Sequence, residues 1–198
     1  MTGGAGYSAA LSARLVTEDS LPDGFSVVIA TVMASDAGDQ FSAVDLSCSD
    51  MIPLLSGTQL TGTPSAMAAA TLSYDAGPDD LWVGTEVLRT YAGDGARRAM
   101  TDLRTFIGRC PIVVSSDLGG DRSRHRYAVA PGPQLGDDSM HVRSSTTSGS
   151  YVLEWDSILV RIGTTLVVVK EQGNKPGGDR YLTQLVAAAL HRYQTTGS

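Results

Sequence analysis

The chain has 198 residues, of which 42% are hydrophobic and 18% are charged. This composition is typical of a globular protein with one domain, or at most two small ones, and excludes wholesale disorder. The net charge of −6 argues against a nucleic-acid-binding protein, because neutralising phosphates requires clustered lysine and arginine. The arginines that do cluster, Arg122, Arg124 and Arg126, fall in a segment rich in glycine and serine. We predict a solvated loop there, with a phosphate-binding site as the alternative.

The first residues, Met1 to Gly6, carry only small side chains after the methionine. Such a segment is flexible and has nothing to bury. It is typical of the start of a mature bacterial lipoprotein, so we expect Met1 to occupy the position of a lipidated cysteine in the native protein. Residues 1–7 would then form a flexible tether to the membrane. An ordinary cytosolic N-terminus is the alternative. No apolar run reaches the roughly 18–20 residues that span a bilayer.

The two cysteines, Cys48 and Cys110, lie 62 residues apart. They belong to no CxxC motif and have no histidine at ligand spacing, which disfavours a zinc site. A disulfide between them would remove about 4 kcal/mol of conformational freedom from the unfolded chain. The exported location suggested by the leader favours this disulfide. Two separate buried thiols are the alternative.

The first half of the chain alternates short helices and strands. Leu11 and Leu15 share one helical face and predict a first helix. Along the strand that begins at Leu81, apolar residues fall on both faces, which indicates a central, covered strand. Asp94 is the predicted cap of the clearest helix, which Gly108 closes. The predicted helices are 8–16, 47–55 and 94–108, and the predicted strands are 25–33, 67–74 and 81–91.

The second half reads as an antiparallel meander of four strands, 126–130, 139–144, 151–162 and 165–171, followed by a last helix capped by Asp179. A glycine at position 163 predicts a tight hairpin turn between the last two strands. Because strands and helices do not alternate strictly, the expected class is α+β with a mainly antiparallel sheet and three or four helices. We expect a single domain over residues 8–194, with a disordered tail at 195–198.

Motifs for catalysis are absent from the sequence. It has no nucleophile elbow, P-loop, HExxH or EF-hand spacing, and His125, His141 and His191 are scattered. We therefore expect no catalytic site, no metal and no cofactor. The paired carboxylates Asp137 and Asp138 follow a glycine and predict a turn that enters a strand. A bound cation or a shared proton is the alternative there.

Four aromatic residues lie on predicted strands: Trp82, Tyr91, Tyr151 and Trp155. Aromatic residues on a sheet usually belong to the core, but they also line clefts that take hydrophobic or sugar-like ligands. These four are the candidate ligand-binding residues.

The chain resembles an actinobacterial family, the extracellular sensor domain of PknH-type serine/threonine kinases and related exported lipoproteins. The resemblance rests on Cys48 with the Met-Ile-Pro-Leu-Leu that follows it, the segment from Glu86 to Leu103, and Arg109-Cys110. It also rests on residues 133–137 and on the hairpin at Val160-Arg-Ile-Gly163. The family implies an α+β domain with a cleft at the outer face of the cytoplasmic membrane. The chain departs from the kinases in having one cysteine pair and no kinase domain.

Three functions remain open from the sequence. The first is a non-enzymatic extracytoplasmic lipoprotein that binds a ligand or an envelope partner, such as a sensor-kinase ectodomain, and modulates envelope stress signalling. The second is a hydrolase, which would require His125 or His141 beside a serine and an aspartate. The third is a structural envelope protein without a ligand. We expect a monomer that binds no nucleic acid.

Overall fold

A computed structural model describes residues 6–29, 47–50, 52, 60–75, 81–116, 120–172 and 179–196. Within these residues the structure gives the bounds of the helices α1 (Ala9–Ser12), α2 (Gly95–Arg109) and α3 (Asp179–Thr195) and of a 3₁₀ turn at Glu18–Ser20. The first strands are β1 (Gly6–Tyr7), β2 (Phe25–Ile29), β3 (Ala66–Asp75) and β4 (Leu81–Thr90). The remaining strands are β5 (Ile112–Ser116), β6 (Arg122–Pro131), β7 (Asp138–Ser148), β8 (Tyr151–Ile162) and β9 (Thr165–Gln172).

The strands form one sheet in the order β1-β3-β4-β9-β8-β7-β6-β5, and β2 also pairs with β3. Every pairing is antiparallel except the short parallel contact between β1 and β3. The predicted class, a single α+β domain with a mainly antiparallel sheet, is confirmed. No helix of the described residues is long and apolar enough to cross a membrane.

The sheet has a front face, which carries Val87 of β4, and a back face, which carries Glu86. Successive side chains of a strand point to opposite faces, so each strand contributes to both. Helix α2 covers the front face, and α1 and α3 cover the back face. Strands β4, β8 and β9 are buried on both faces at the centre, as the sequence predicts for β4. The front core includes Met67, Met100, Phe106, Met140, Leu159 and Val168, and the back core includes Leu11, Leu72, Leu88, Val160, Val167, Leu182 and Val186.

Helix α2 buries one apolar stripe whose members recur every three or four residues, among them Ala96, Met100 and Leu103. This spacing confirms the predicted helix. Its cap differs from the prediction, since the side chain of Asp94 makes no capping hydrogen bond. The Asp94 carboxylate instead pairs with Arg97 at 3.1 Å and Arg98 at 2.9 Å.

Cys48 and Cys110 are joined in a disulfide, with 5.7 Å between their Cα atoms. The predicted bond is therefore confirmed. Cys110 is the residue directly after α2, and its backbone N–H bonds Phe106 O at 2.8 Å. The bond thus ties the end of α2 to the segment at 47–50, on the front face. The rest of the helix predicted at 47–55 lies mostly outside the described residues.

The N-terminal region enters the sheet earlier than the sequence suggests. Gly6 and Tyr7, which the sequence places in the leader, pair with Ala66 and Met67 of β3. The first helix is shorter than predicted and is capped by Ser8, whose Oγ accepts a hydrogen bond from the Leu11 N–H at 3.2 Å. Position 1, the expected lipidation site, and the predicted strand residues 30–33 lie outside the described residues.

Candidate functional site

The β7–β8 hairpin extends beyond the centre of the sheet. Strands β7 and β8 pair from Asp138↔Arg161 to Ser148↔Tyr151, whereas β8 pairs with β9 only over residues 157–162. Residues 151–156 of β8 therefore have no strand beside them on the β9 side within the described residues. We call this half of the sheet the arm: residues 112–116, 122–127, 143–148 and 151–156.

A row of large apolar side chains lies on the front face of the arm. Tyr151, Leu153 and Trp155 occupy alternate positions of β8, so all three side chains lie on one face. Tyr151 is 77% exposed and Leu153 is 39% exposed, while Trp155 is half-buried. Their partners on β7 are Ser148, Thr146 and Ser144. The arm thus presents rings beside hydroxyl groups, a combination that suits a ligand with both apolar and polar faces.

His125 on β6 lies next to this row. Its Nε2 is 2.9 Å from the Oγ of Ser115, and its Nδ1 is 2.9 Å from the Oγ1 of Thr146. The imidazole also stacks on Tyr127, with 6.5 Å between ring centroids. Burial lowers the pKa of His125, which favours the neutral ring. A neutral imidazole that donates to one hydroxyl and accepts from the other satisfies both partners without any charge.

The other two histidines lie elsewhere. His141 is buried on the back face, with its Nε2 3.4 Å from Asp156 Oδ2, and His191 is exposed on α3. The described residues hold no group of three or more histidine, cysteine, aspartate or glutamate side chains placed to bind a metal ion.

The structure does not bring the four candidate aromatic residues together. Trp82 is buried on the back face, where its indole N–H donates to Glu171 Oε2 at 2.9 Å. Tyr91 is buried in the front core, and burial raises the pKa of its hydroxyl. Only Tyr151 and Trp155 share an accessible surface, so the candidate site reduces to the arm.

The paired carboxylates at the start of β7 each bind an arginine. Asp138 accepts two hydrogen bonds from Arg104, at 2.9 and 2.7 Å, and these bonds lower its pKa. Asp137 accepts from Arg161 at 3.0 Å and from the Gly163 N–H at 2.7 Å. The chain bends at Gly136, whose φ is 62°, and then enters β7. Through these bonds, Asp138 holds α2 against β7, and Asp137 holds the β8–β9 turn against the start of β7. Both contacts lie at the end of β7 that is farthest from the arm.

The three clustered arginines are not in a loop. Arg122, Arg124 and Arg126 lie on β6, paired with Ser116, Val114 and Ile112 of β5. The sequence prediction failed because polar residues alternate along an exposed strand and leave no apolar period to detect. Since they occupy alternate positions, all three arginine side chains lie on the back face of the arm. The row of Tyr151, Leu153 and Trp155, which we call the apolar row, lies on the opposite face.

A carboxyl group is buried at the centre of the back face. Glu86 is 0% exposed, and its Oε2 accepts a hydrogen bond from the Val16 N–H at 2.9 Å. Its Oε1 has no hydrogen-bond partner in the described part of the chain. Burial raises the pKa of Glu86 to about 7, although the Val16 bond and the charge of Arg192 act in the opposite direction. Arg192 itself donates to the carbonyl oxygen of Ala13 at 3.2 Å.

No protein-family model matches the chain, so membership of the PknH-type family remains a prediction. In structure the chain is similar to the extracellular domain of PknH from Mycobacterium tuberculosis, with a TM-score of 0.47 and 14% sequence identity. The match covers 98% of each chain.

Proposed function

We propose that this chain is the extracytoplasmic binding domain of a membrane-anchored lipoprotein. It binds a small molecule, or the extracytoplasmic domain of an envelope protein such as a sensor kinase, on the front face of the arm. The proposal rests on the apolar row of Tyr151, Leu153 and Trp155, because Tyr151 and Leu153 expose large apolar side chains on one face. Contiguous exposed apolar side chains with a polar rim are characteristic of interaction sites.

The location outside the cytoplasm is supported by the disulfide. A bond between Cys48 and Cys110 forms and persists in oxidising compartments and is rare in the reducing cytosol. The disulfide closes a loop that contains β3, β4 and α2. By restricting the unfolded chain, it raises the free energy of unfolding of an exported protein.

The membrane anchor is the part of the proposal supported by the small side chains at residues 2–5, which precede β1. A leader of this kind carries a domain away from a bilayer without burying anything, and stable anchoring takes more than one acyl chain. The test is metabolic labelling of the native full-length protein with a fatty acid. Label is expected on the wild type, at the cysteine proposed for position 1 of the native protein. It should be absent after alanine replaces that cysteine. An unlabelled wild type would refute the anchor while leaving the binding site untouched.

The binding site is tested by native mass spectrometry on protein purified from its source envelope. Wild type is expected to retain a ligand or partner that the double variant Tyr151→Ser, Leu153→Ser loses. Val28→Ser is the control. Val28 is likewise an exposed apolar residue, 56% exposed, but it lies on β2, outside the arm. If neither wild type nor control retains a bound molecule, the proposed binding site is refuted. If the double variant retains it too, the site is elsewhere.

A second candidate function, a hydrolase, is favoured by one observation. Ser115 Oγ lies 2.9 Å from His125 Nε2, which is the contact between a nucleophile and its base. The third partner is the hydroxyl of Thr146, not a carboxylate, so the imidazolium that forms during catalysis would lack charge stabilisation. Turnover of a p-nitrophenyl ester by wild type but not by Ser115→Ala would support this function. Equal background rates in the two proteins would exclude it.

A further inference from the structure

Strand β5 forms the last strand of the sheet, and its outer side pairs with no other strand in the described residues. The register of β5 against β6 determines which of its backbone groups face outward. The N–H of Tyr127 donates to Pro111 O at 2.9 Å, and β5 pairs with β6 in an unbroken register. Because hydrogen-bonded and non-hydrogen-bonded pairs alternate in an antiparallel ladder, Val113 and Ser115 bond to β6. The N–H and C=O groups of Ile112, Val114 and Ser116 therefore face outward.

Strand β5 follows Pro111, but within Ile112–Ser116 it carries no charged side chain, no proline and no bulge, which are features that proteins use to block strand addition. The sequence of β5 is Ile-Val-Val-Ser-Ser, and its register shows no bulge. Ile112 and Val114 also expose their side chains, at 48% and 45%. An uncharged, regular, partly apolar edge favours the addition of another strand.

The strand next to this edge carries three arginines, preceded by Asp121, although the chain as a whole carries −6. Arg122, Arg124 and Arg126 are exposed on the back face, the face that also carries Ile112 and Val114. They recur every second residue, so their Cα atoms are about 6.6 Å apart. A strand added to β5 has the same period, and acidic side chains at its alternate positions would follow the row of arginines.

We infer that β5 is a docking edge for an extended, acidic segment of a partner protein, which adds to the sheet as a further strand. Its backbone would lie two strand spacings, about 9.6 Å, from β6, so its carboxylates would meet the long side chains of Arg124 and Arg126 across Ile112 and Val114. This inference goes beyond the proposed function, which concerns the front face of the arm. A second copy of this chain fits the edge less well, since antiparallel pairing of two β5 strands would place two rows of arginines on one face. A lipid surface would leave the outward backbone groups unpaired, which is costly in an apolar medium.

The experiment uses the full chain and three synthetic peptides of nine residues. The first alternates threonine and glutamate, the second has the same composition with the glutamates in adjacent pairs, and the third alternates threonine and lysine. We expect the first to bind, measured by fluorescence anisotropy, and the other two to bind at least about tenfold more weakly. Binding should also slow amide hydrogen exchange at Ile112, Val114 and Ser116. No binding by the first peptide at millimolar concentration, or equal binding by all three, would overturn the inference.

Two variants separate backbone pairing from charge. Val114→Pro removes an outward N–H without removing a bond to β6, and Val114→Thr is its matched control. We expect the proline to weaken peptide binding about tenfold and the threonine to leave it unchanged. Each exposed ion pair contributes little alone, so both arginines are changed together. The double variant Arg124→Glu, Arg126→Glu should also weaken binding about tenfold. Melting temperatures check that each variant is folded, and peptide binding that survives both changes would overturn the inference.

The competing occupants give different results. A wild-type dimer that Val114→Pro converts to a monomer in light scattering would assign the edge to a second copy. Co-flotation with phosphatidylglycerol vesicles, lost in the double arginine variant and kept in Val114→Pro, would assign the arginines to lipid. Either result would overturn the docking of an acidic segment.

Discussion

Replacing Glu86 with glutamine is expected to remove most of the pH dependence of stability near neutrality. The carboxyl group ionises at its ordinary value of 4.5 in the unfolded chain and at about 7 in the fold, because it is fully buried. Between these values the folded state binds more protons than the unfolded state, so the free energy of unfolding falls as pH rises. The pKa difference corresponds to about 3 kcal/mol, all of it lost above pH 7 and none below 4.5.

Glutamine keeps the shape of the protonated carboxyl group, and its oxygen can still accept the hydrogen bond from the Val16 N–H. The assay is urea denaturation followed by tryptophan fluorescence at a series of pH values. Burying the amide N–H groups of glutamine beside the unpartnered Oε1 position adds a cost that does not depend on pH. The unfolding free energy of the variant relative to wild type should therefore rise by about 3 kcal/mol between acid and a pH above neutrality.

Glu18→Gln is the control, because it makes the same chemical change at an exposed position of the 3₁₀ turn. Burial lowers the pKa of His125, which gives a slope of opposite sign below neutrality. His125 is present in every protein compared, so its contribution cancels in the difference. If Glu86→Gln and wild type lose stability in parallel across this range, the assigned origin of the pH dependence is refuted.

Three further outcomes follow from the packing. Reducing the Cys48–Cys110 bond, which closes a loop of 62 residues, should lower the unfolding free energy by about 4 kcal/mol, and unchanged urea midpoints would contradict this. Gly84→Ala should cost about 2 kcal/mol, because its Cβ would meet a tryptophan ring and lie 2.8 Å from a carbonyl oxygen. Gly108→Ala, the open helical control, should instead stabilise by about 0.5–1 kcal/mol in the same assay. Asp138→Asn should cost less than about 1 kcal/mol at neutral pH, because the ion pair is about one-third exposed. The lowered pKa of Asp138 means that this difference disappears in acid, as pH falls through the folded value.

The central elements could be predicted because their sequences carry strong periods. In β4, Trp82, Glu86 and Leu88 fall on one face and Val87 on the other, and the chain there is buried on both sides. Helix α2 repeats its apolar residues with the helical spacing. In both elements the buried positions must carry apolar residues that pack against neighbouring elements. This requirement produces the period that is visible in the sequence.

The arm could not be predicted in the same way. Strand β5 has only five residues and directly follows Pro111, which left its apolar run too short to distinguish from a loop. Half of the side chains of β6 face solvent, so Arg122 to Arg126 carry no apolar signal. The exposure of Tyr151 depends on where β9 stops, and that is set by pairing between distant strands. A sequence window around Tyr151 does not contain this information.

The position of β9 between β4 and β8 has a consequence for how the chain folds. The hairpin partner β8 is its neighbour in sequence, but β4 precedes it by about 80 residues. Strand β9 pairs with β4 through eight residue pairs and with β8 through six. Until residues 165–172 are available, β4 and β8 each present an open edge, and the two halves of the sheet are not joined. Joining the two halves of the sheet therefore has to wait for residues 165–172, and the folding rate should be that of a protein dominated by contacts distant in sequence, in the range of milliseconds to seconds. During that interval the unjoined edges are the places where misassembly with other chains would begin.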